Sequence, residues 1–425
     1  MPASAARGPA ASPSIVPAGN RLAVRILYHH RIRGIDGQAV HVRALVRALV
    51  AEGHEVREVA LEPIVGPRPR VEGRAAFPPA GAERRVRPWR GIDRLPRPLL
   101  ELAEDAYSLV AWRMVAREVA RFEPDFIYER HAFGNAGGVW AANRLGVPVV
   151  LEVNSPLLEE LSGTRGVTFP ALARRLETFV LGRADLVVVV SEELRKFALA
   201  RGGRDGRVLT IPNAVDAQAF RPADGESRAD ARRRLGLFSN GDGPGLVLGF
   251  CGFVREWHRL DLVLSCLGRP ELAGVRLVVV GEGPRTPWIA RRAAELGIGD
   301  RVLQVGDRRH EEVPGLVAAF DVALLPGVPA YASPLKLYEY LAAGLPVVAP
   351  DQANLREILR DRDNALLFAP GDADALASAL IELKDDAALR MRLGARARAT
   401  VLDERRSWRA VARRVVDEVK ALPAS

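Results

Sequence analysis

The sequence predicts an α/β protein made of two doubly wound, Rossmann-like parallel-sheet domains facing each other across a cleft. Three observations carry this expectation. A chain of 425 residues exceeds what one hydrophobic core organises, and 48% hydrophobic with 27% charged residues is an ordinary globular composition. Short apolar runs alternate with helical patterns in both halves, as in strands covered by helices on both faces. The alternation is interrupted near 213–245, where Pro, Gly, Asp and Arg dominate (PADGESRADARRR, then SNGDGPG).

The elements follow in order. Residues 1–20, rich in Ala, Pro, Ser and Gly, lack a signal-like apolar run and read as a disordered tail. VRILYH (24–29) reads as a buried strand, followed by a glycine-bearing loop and a helix with Val42, Leu45, Val46 and Leu49 on one face, ending near Gly53. Further strands are expected at 55–61, 125–128, 147–153 and 185–190, and the Pro- and Arg-rich residues 62–98 read as a long connection with an exposed excursion. In the second half, strands are expected at 246–252, 275–280, 301–305, 321–326, 346–350 and 365–368. This gives a first domain at 21–215, a second at 216–402, and a last helix at 403–425 crossing back to the first domain.

Two cysteines, Cys251 and Cys266, build neither a disulfide framework nor a Cys-x-x-Cys metal site and suit a reducing cytoplasm. No run of about 18 apolar residues occurs, so no membrane-spanning helix is expected. Up to Val215 the chain carries 31 Arg plus Lys against 23 Asp plus Glu, and the remainder 30 against 29, so the first half holds nearly all of the +9 excess. Such a half suits an anionic membrane surface or an anionic acceptor; a solvated Arg-rich surface is the competing reading. Nucleic acid is not expected, because no recognised module accompanies the charge.

The segment YASPLKLYEYLAAGLPVVAP (331–350) is the most informative. Ser333 suits an N-cap, Pro334 a first helical position, and Gly344 with Pro346 a stop, predicting a helix of about ten residues. Its N-terminus should face the crevice at the carboxyl end of the second sheet. Lys336 then sits in the first turn, where the helix dipole already disfavours a cation. An anion bound there removes the conflict, because free backbone N–H groups, the dipole and a lysine together make a phosphate site. A solvent-facing lysine is the alternative. Glu339, three residues on, shares the helix face and suits a ribose diol or an ion pair with Lys336.

These residues, with IPNAVDAQAFRP (211–222), the run from VGEGP (280–284) to DVALLP (321–326) and the opening strand, glycine loop and helix (24–56), resemble the retaining GT-B glycosyltransferases of family 4 over most of the chain. Within that family the pattern is similar to members reading SPLK-x-x-EY. The resemblance implies a hexosyltransferase-like, metal-independent enzyme that moves a sugar from a nucleoside diphosphate donor to a hydroxyl of a glycan or lipid-linked acceptor with retention of configuration. It implies no cofactor and a role in polysaccharide biosynthesis; the two cysteines and the basic first half add the expectation of a cytoplasmic location with peripheral contact at the inner face of an anionic plasma membrane. It places Lys336, Glu339, Arg255 and His258 in the catalytic machinery. The donor would meet Gly34 and Gly37 after the first strand, Gly252, Gly281, Gly283 and Gly306 in the second domain, and Tyr331, Ser333, Pro334 and Leu335 before and within the key helix. Tyr331 stands where the family's first Glu usually contacts the donor sugar. Phe253 and His258 stand where its phosphate-binding Arg and Lys are expected, so Arg255 or Arg259 would supply the missing charge and a protonated His258 would bind phosphate. Glu129, Arg130, His131, Glu152 and Asn154, at strand ends, would line the acceptor side.

Asp361-Arg362-Asp363 has the spacing of a metal-binding Asp-x-Asp but reads as a turn, and Asp372-Ala373-Asp374 as a helix start. Two other functions stay open: a nucleotide-sugar epimerase of the same fold, and a degenerate nucleotide-binding partner of another transferase. A nicotinamide dehydrogenase is disfavoured, since no G-x-G-x-x-G follows the first strand.

Overall fold

The computed structural model describes residues 23–32, 37–61, 96–237 and 245–423. The tail at 1–20, most of the Pro- and Arg-rich connection, Gly34 and residues 238–244 lie outside the described residues.

The first unit runs β1 (Arg25–His29), α1 (Gly37–Ala51), β2 (Glu55–Val59), α2 (Arg97–Phe122), β3 (Phe126–Arg130), α3 (Gly137–Leu145), β4 (Val149–Val153), α4 (Leu157–Thr164), α5 (Pro170–Arg183), β5 (Leu186–Val189), α6 (Glu192–Ala200) and β6 (Val208–Thr210). Its strands form one parallel sheet in the order β2-β1-β3-β4-β5-β6. After α7 (Gly225–Arg234) the second unit runs β7 (Val247–Cys251), α8 (Leu260–Leu267), β8 (Arg276–Val280), α9 (Thr286–Glu295), β9 (Val302–Gly306), α10 (Val313–Val317), β10 (Val322–Leu324), α11 (Leu335–Ala342), β11 (Val347–Pro350), α12 (Ala353–Arg356), β12 (Ala365–Phe368), α13 (Ala373–Asp385) and α14 (Ala387–Val401). This sheet is also parallel, in the order β12-β11-β10-β7-β8-β9.

Each central strand is apolar on both sides because helices cover both faces. In the first sheet, Leu27, Ile127 and Val187 pack under α2, α3, α5 and α6, while Ile26, Tyr28 and Val150 pack under α1 and the last helix, α15 (Trp408–Lys420). Val411, Ala412, Val415 and Val416 of α15 join Val42, Leu45 and Leu49 of α1 in one core, which anchors the C-terminal end of the chain on the first unit. α15 begins at Trp408 because Ser407 Oγ accepts the Ala410 N–H at 3.2 Å, capping the helix there.

The chain reverses direction across each sheet at one place, between β1 and β3 in the first and between β7 and β10 in the second. Crevices open at the carboxyl ends of those strand pairs. The two units are tied nearby: Ser191 Oγ donates to the Tyr331 carbonyl at 2.6 Å, and the Glu192 N–H donates to Glu357 at 3.0 Å. Asp361-Arg362-Asp363 is a turn: Arg362 has φ 60°, Asp361 accepts the Leu367 N–H and Asp363 pairs with Arg396. Asp372 caps α13 by accepting from the Asp374 and Ala375 N–H groups.

Candidate functional site

The second sheet's crevice is headed by α11. The cap expected at Ser333 is displaced by one residue: Pro334 holds the cap position with no side-chain hydrogen bond, and the helix has eight residues instead of about ten. Ser333 is committed elsewhere, since its hydroxyl accepts the Asn213 N–H at 3.3 Å and shares a hydrogen bond with Tyr338 at 3.0 Å. Lys336 lies in the first turn, as expected, but points inward. Its ammonium lies 4.1 Å from the centroid of the Phe250 ring and 3.1 Å from His258 Nε2. No carboxylate pairs with it among the described residues, and Glu339 turns away to accept from His310 Nε2 at 2.7 Å. Burial brings the Lys336 pKa down to about 8.

The loops after β7, β8 and β9 form the floor. Gly252, at φ +135°, lets Lys336 approach; a Cβ there would lie 2.7 Å from Nζ. The Gly252 N–H donates to Val280, and the Gly281 N–H to Gly306, so these glycines stack loop on loop behind the lysine. A Cβ on Gly281 or Gly283 would strike the backbone of Gly252 or Val254.

His258 departs from expectation. Burial first, then the Lys336 and Arg255 cations, push its pKa down to about 2, so this environment holds it neutral. Its Nδ1 lies 3.2 Å from the Arg255 backbone nitrogen and its Nε2 3.1 Å from the ammonium, and a neutral ring accepts from only one of these donors at a time. Arg259 is not free either, being paired with Asp261 at 3.0 Å. Arg255 is exposed, with its guanidinium beside the Phe253 and Trp257 rings. Tyr331 precedes the helix: its side chain packs against the first unit's core, and burial together with Glu160 of α4 raises its pKa. Its ring therefore makes an inter-unit contact.

The acceptor-side strand ends are internally paired. Glu129 accepts from Asn135 at 2.8 Å and lies 2.5 Å from His29 Nδ1, fully buried. Glu152 meets His41 Nε2, Arg130 at 3.2 Å and the Tyr28 hydroxyl at 3.3 Å. Burial alone would raise its pKa, but His41 and Arg130 hold it at about 2, with Asn154 contributing a hydrogen bond. His131 is driven to about 4 by burial. Gly37 opens α1 with no close neighbours.

Four polar residues were not singled out from the sequence. His29 and His41 sat inside apolar patterns, and His310 within the polar run DRRHEEV. Asn213 hides in the IPNAVD motif. It links the units: His41 Nδ1 lies 2.9 Å from its Oδ1, and its amide nitrogen donates to the Ser333 carbonyl. A histidine interrupting an apolar helix face beside Val42 was the available signal.

Two facing parallel-sheet units, with a lysine-bearing helix N-terminus at the second crevice, define a GT-B architecture. Residues 35–219 match the family described as Glycosyltransferase Family 4, and residues 245–386 the family described as Glycosyl transferases group 1. The chain has the GT-B fold, and each of its halves is similar to a glycosyltransferase family. It is similar to the D-inositol 3-phosphate glycosyltransferase of Stackebrandtia nassauensis, with 32% identity over 289 residues, 64% of this chain and 62% of that protein. The match thus spans less than two thirds of that relative's length. It is also similar to the MMP alpha-(1->4)-mannosyltransferase of Mycolicibacterium hassiacum, at 27% identity over 89% of this chain and 93% of that protein. Among solved structures, HepE of Anabaena in complex with UDP superposes with a TM-score of 0.66 at 17% identity, covering 94% of this chain and all of that one.

Proposed function

We propose that the chain transfers a sugar from a nucleoside diphosphate sugar to a hydroxyl of a glycan or lipid-linked acceptor, with retention and without a metal, using the SPLK-x-x-EY pattern at 333–340. The observation that carries this reading is Lys336. A cation in the first turn of a helix, facing an aromatic ring and a neutral histidine with no carboxylate paired with it among the described residues, lacks a counter-charge that an anion supplies. A diphosphate is that anion. Glu339, oriented by His310, reaches for the ribose diol.

In the step itself the bond from the sugar's anomeric carbon to the diphosphate oxygen breaks, and the bond to the acceptor oxygen forms on the same face. The acceptor proton passes to the departing diphosphate oxygen. Lys336, the α11 amides and Arg255 stabilise the charge that develops there, each such contact contributing on the order of 2–4 kcal/mol. These cations supply the counter-charge that a metal gives in other transferases. The solved relative's UDP supports a uridine donor as the first choice to try. The reading includes a cytoplasmic location with peripheral membrane contact. No helix among the described residues is long and apolar enough to cross a membrane.

Thermal unfolding with UDP, GDP, ADP and their sugars tests donor binding. A ligand at about 100 times its Kd stabilises by about 2.7 kcal/mol. At least one is expected to do so, and none at millimolar concentration removes the reading. The anomeric coupling constant of the isolated product then tests retention, and turnover of the donor without acceptor would identify an epimerase instead.

A further inference from the structure

The face of the first unit formed by α2, α3 and α5 has a composition unlike the rest of the surface. Nine of the thirteen large hydrophobic side chains that are exposed among the described residues lie on these helices or at the start of α5. On α2, Leu99, Leu102, Leu109 and Val110 recur at helical spacing along the outer stripe, which continues as Arg113 and Arg117. Trp140 extends the patch onto α3 and rests 5.5 Å from the Trp112 ring of α2. Phe169 and Leu172 continue it onto α5. The Glu101 carboxylate of α2 locks the join by accepting the Thr168 and Phe169 N–H groups at 2.7 and 2.9 Å.

The charge on this face has one sign. Every Asp and Glu of the three helices is buried or half-buried, whereas eight of their arginines are exposed. Arg113, Arg117, Arg174 and Arg175 are in no ion pair among the described residues, and the last two flank a shallow groove with Thr178. The opposite layer differs: Arg409 and Arg413 of α15 pair with Glu52.

We infer that this layer docks on an anionic lipid bilayer, with its apolar side chains entering the headgroup boundary and its arginines meeting lipid phosphates. Three arguments favour that occupant. A second copy of the same face would bring like charges together. Residues 62–95 of this chain carry eight Arg against four Asp plus Glu, so they share the sign of the face and are not a complementary occupant for it. Nucleic acid is held through stacked rings and base edges, but the interior of the patch is mainly leucine. Geometry relates the patch to the crevice. α2 and α5 each lead into a strand's amino end, so their own amino ends, with Leu99, Leu102, Phe169 and Leu172, lie at the carboxyl edge of the sheet where the crevice opens. A lipid-linked acceptor would be met at that rim. This surface rests on, and gives a place to, the peripheral membrane contact of the proposed function, and it is tested apart from donor binding.

The test is sedimentation of the full chain with phosphatidylcholine vesicles, neutral or containing about one third phosphatidylglycerol. Binding to the anionic vesicles only, falling as salt is raised, is expected. Arg113→Glu with Arg117→Glu should weaken it by roughly tenfold or more. Leu102→Ser with Phe169→Ser should weaken it at unchanged charge. Met391→Ser, an exposed position on α14, should leave it intact. The nucleotide-induced thermal shift should persist in all of these, which separates a failure of docking from a failure of donor binding and shows that the variants are folded. Equal binding to neutral vesicles, wild-type binding by both double variants, a dimer dissociated by them in light scattering, or duplex DNA held as tightly through the same arginines would each overturn the inference.

Discussion

The two crevices handle buried charge in opposite ways. In the first, Glu152 has His41 and Arg130 against it and Glu129 has His29, so each carboxylate is compensated within its own unit. In the second, Lys336 is half-buried and faces an aromatic ring and a neutral histidine. A compensated pair holds a fold together, while an uncompensated buried ion is tolerated when a ligand completes it. The comparison therefore assigns Glu152 mainly to architecture and Lys336 mainly to chemistry, although both sit at a sheet's switch point.

The largest expected effect tests the architectural side. Glu152→Ala leaves Arg130 and His41 buried without their carboxylate and should destabilise the protein by about 3–5 kcal/mol in denaturant unfolding near neutral pH. Because the Glu152 pKa is about 2, below its ordinary value, its contribution is present above about pH 4.5 and is lost as pH falls toward 2. A variant of wild-type stability that no longer transfers sugar would break the comparison, since Glu152 would then be serving the substrate.

Next comes the chemical side. Lys336→Ala should lower kcat/KM by about 100- to 1,000-fold and abolish the nucleotide-induced thermal shift, with the unliganded protein at least as stable as wild type. Loss of stability in parallel with activity would place Lys336 with Glu152.

A smaller effect sharpens the same point. With its pKa lowered to about 8 by burial, Lys336 loses its charge as pH rises through that value. kcat/KM, which reports the free enzyme, should fall above about pH 8, whereas kcat should hold to higher pH because bound diphosphate favours the cation. Lys336→Arg, charged throughout, should remove the alkaline fall in whatever activity it retains.

The difference between the crevices also explains what the sequence revealed. Eleven of the twelve strands among the described residues were legible as apolar runs; β6, three residues at a sheet edge, was too short to show a period. Lys336 and Glu339 were legible because the SPLKLYEY run fixes a helix start and its charged face locally. The settings of Tyr331 and His258 were not legible because they come from the other unit or another loop: Glu160 for the tyrosine, Lys336 for the histidine. The compensating histidines were illegible for the same reason, His29 and Glu129 being 100 residues apart. Local electrostatics can be read from spacing, whereas pairing across strands requires the topology.

The smallest effect asks whether compensation belongs to the whole first unit or to its crevice alone. Glu177 of α5 is buried like Glu152, yet its pKa is raised to about 7, by burial first and then by the neighbouring Glu159, against a weaker pull from Arg201 and Arg174. A carboxyl whose pKa is raised on folding favours the native state only while protonated. The penalty is thus absent below about pH 4.5, grows between there and pH 7, and is fully present above. Glu177→Gln should consequently stabilise the protein at pH 8 by about 1–2 kcal/mol and have little effect at pH 4. Thermal unfolding of both proteins across that range provides the check. Destabilisation at pH 8 would show that Arg201, 3.8 Å from Glu177, depends on the charge, and the first unit would then be compensated throughout instead of only at its switch point.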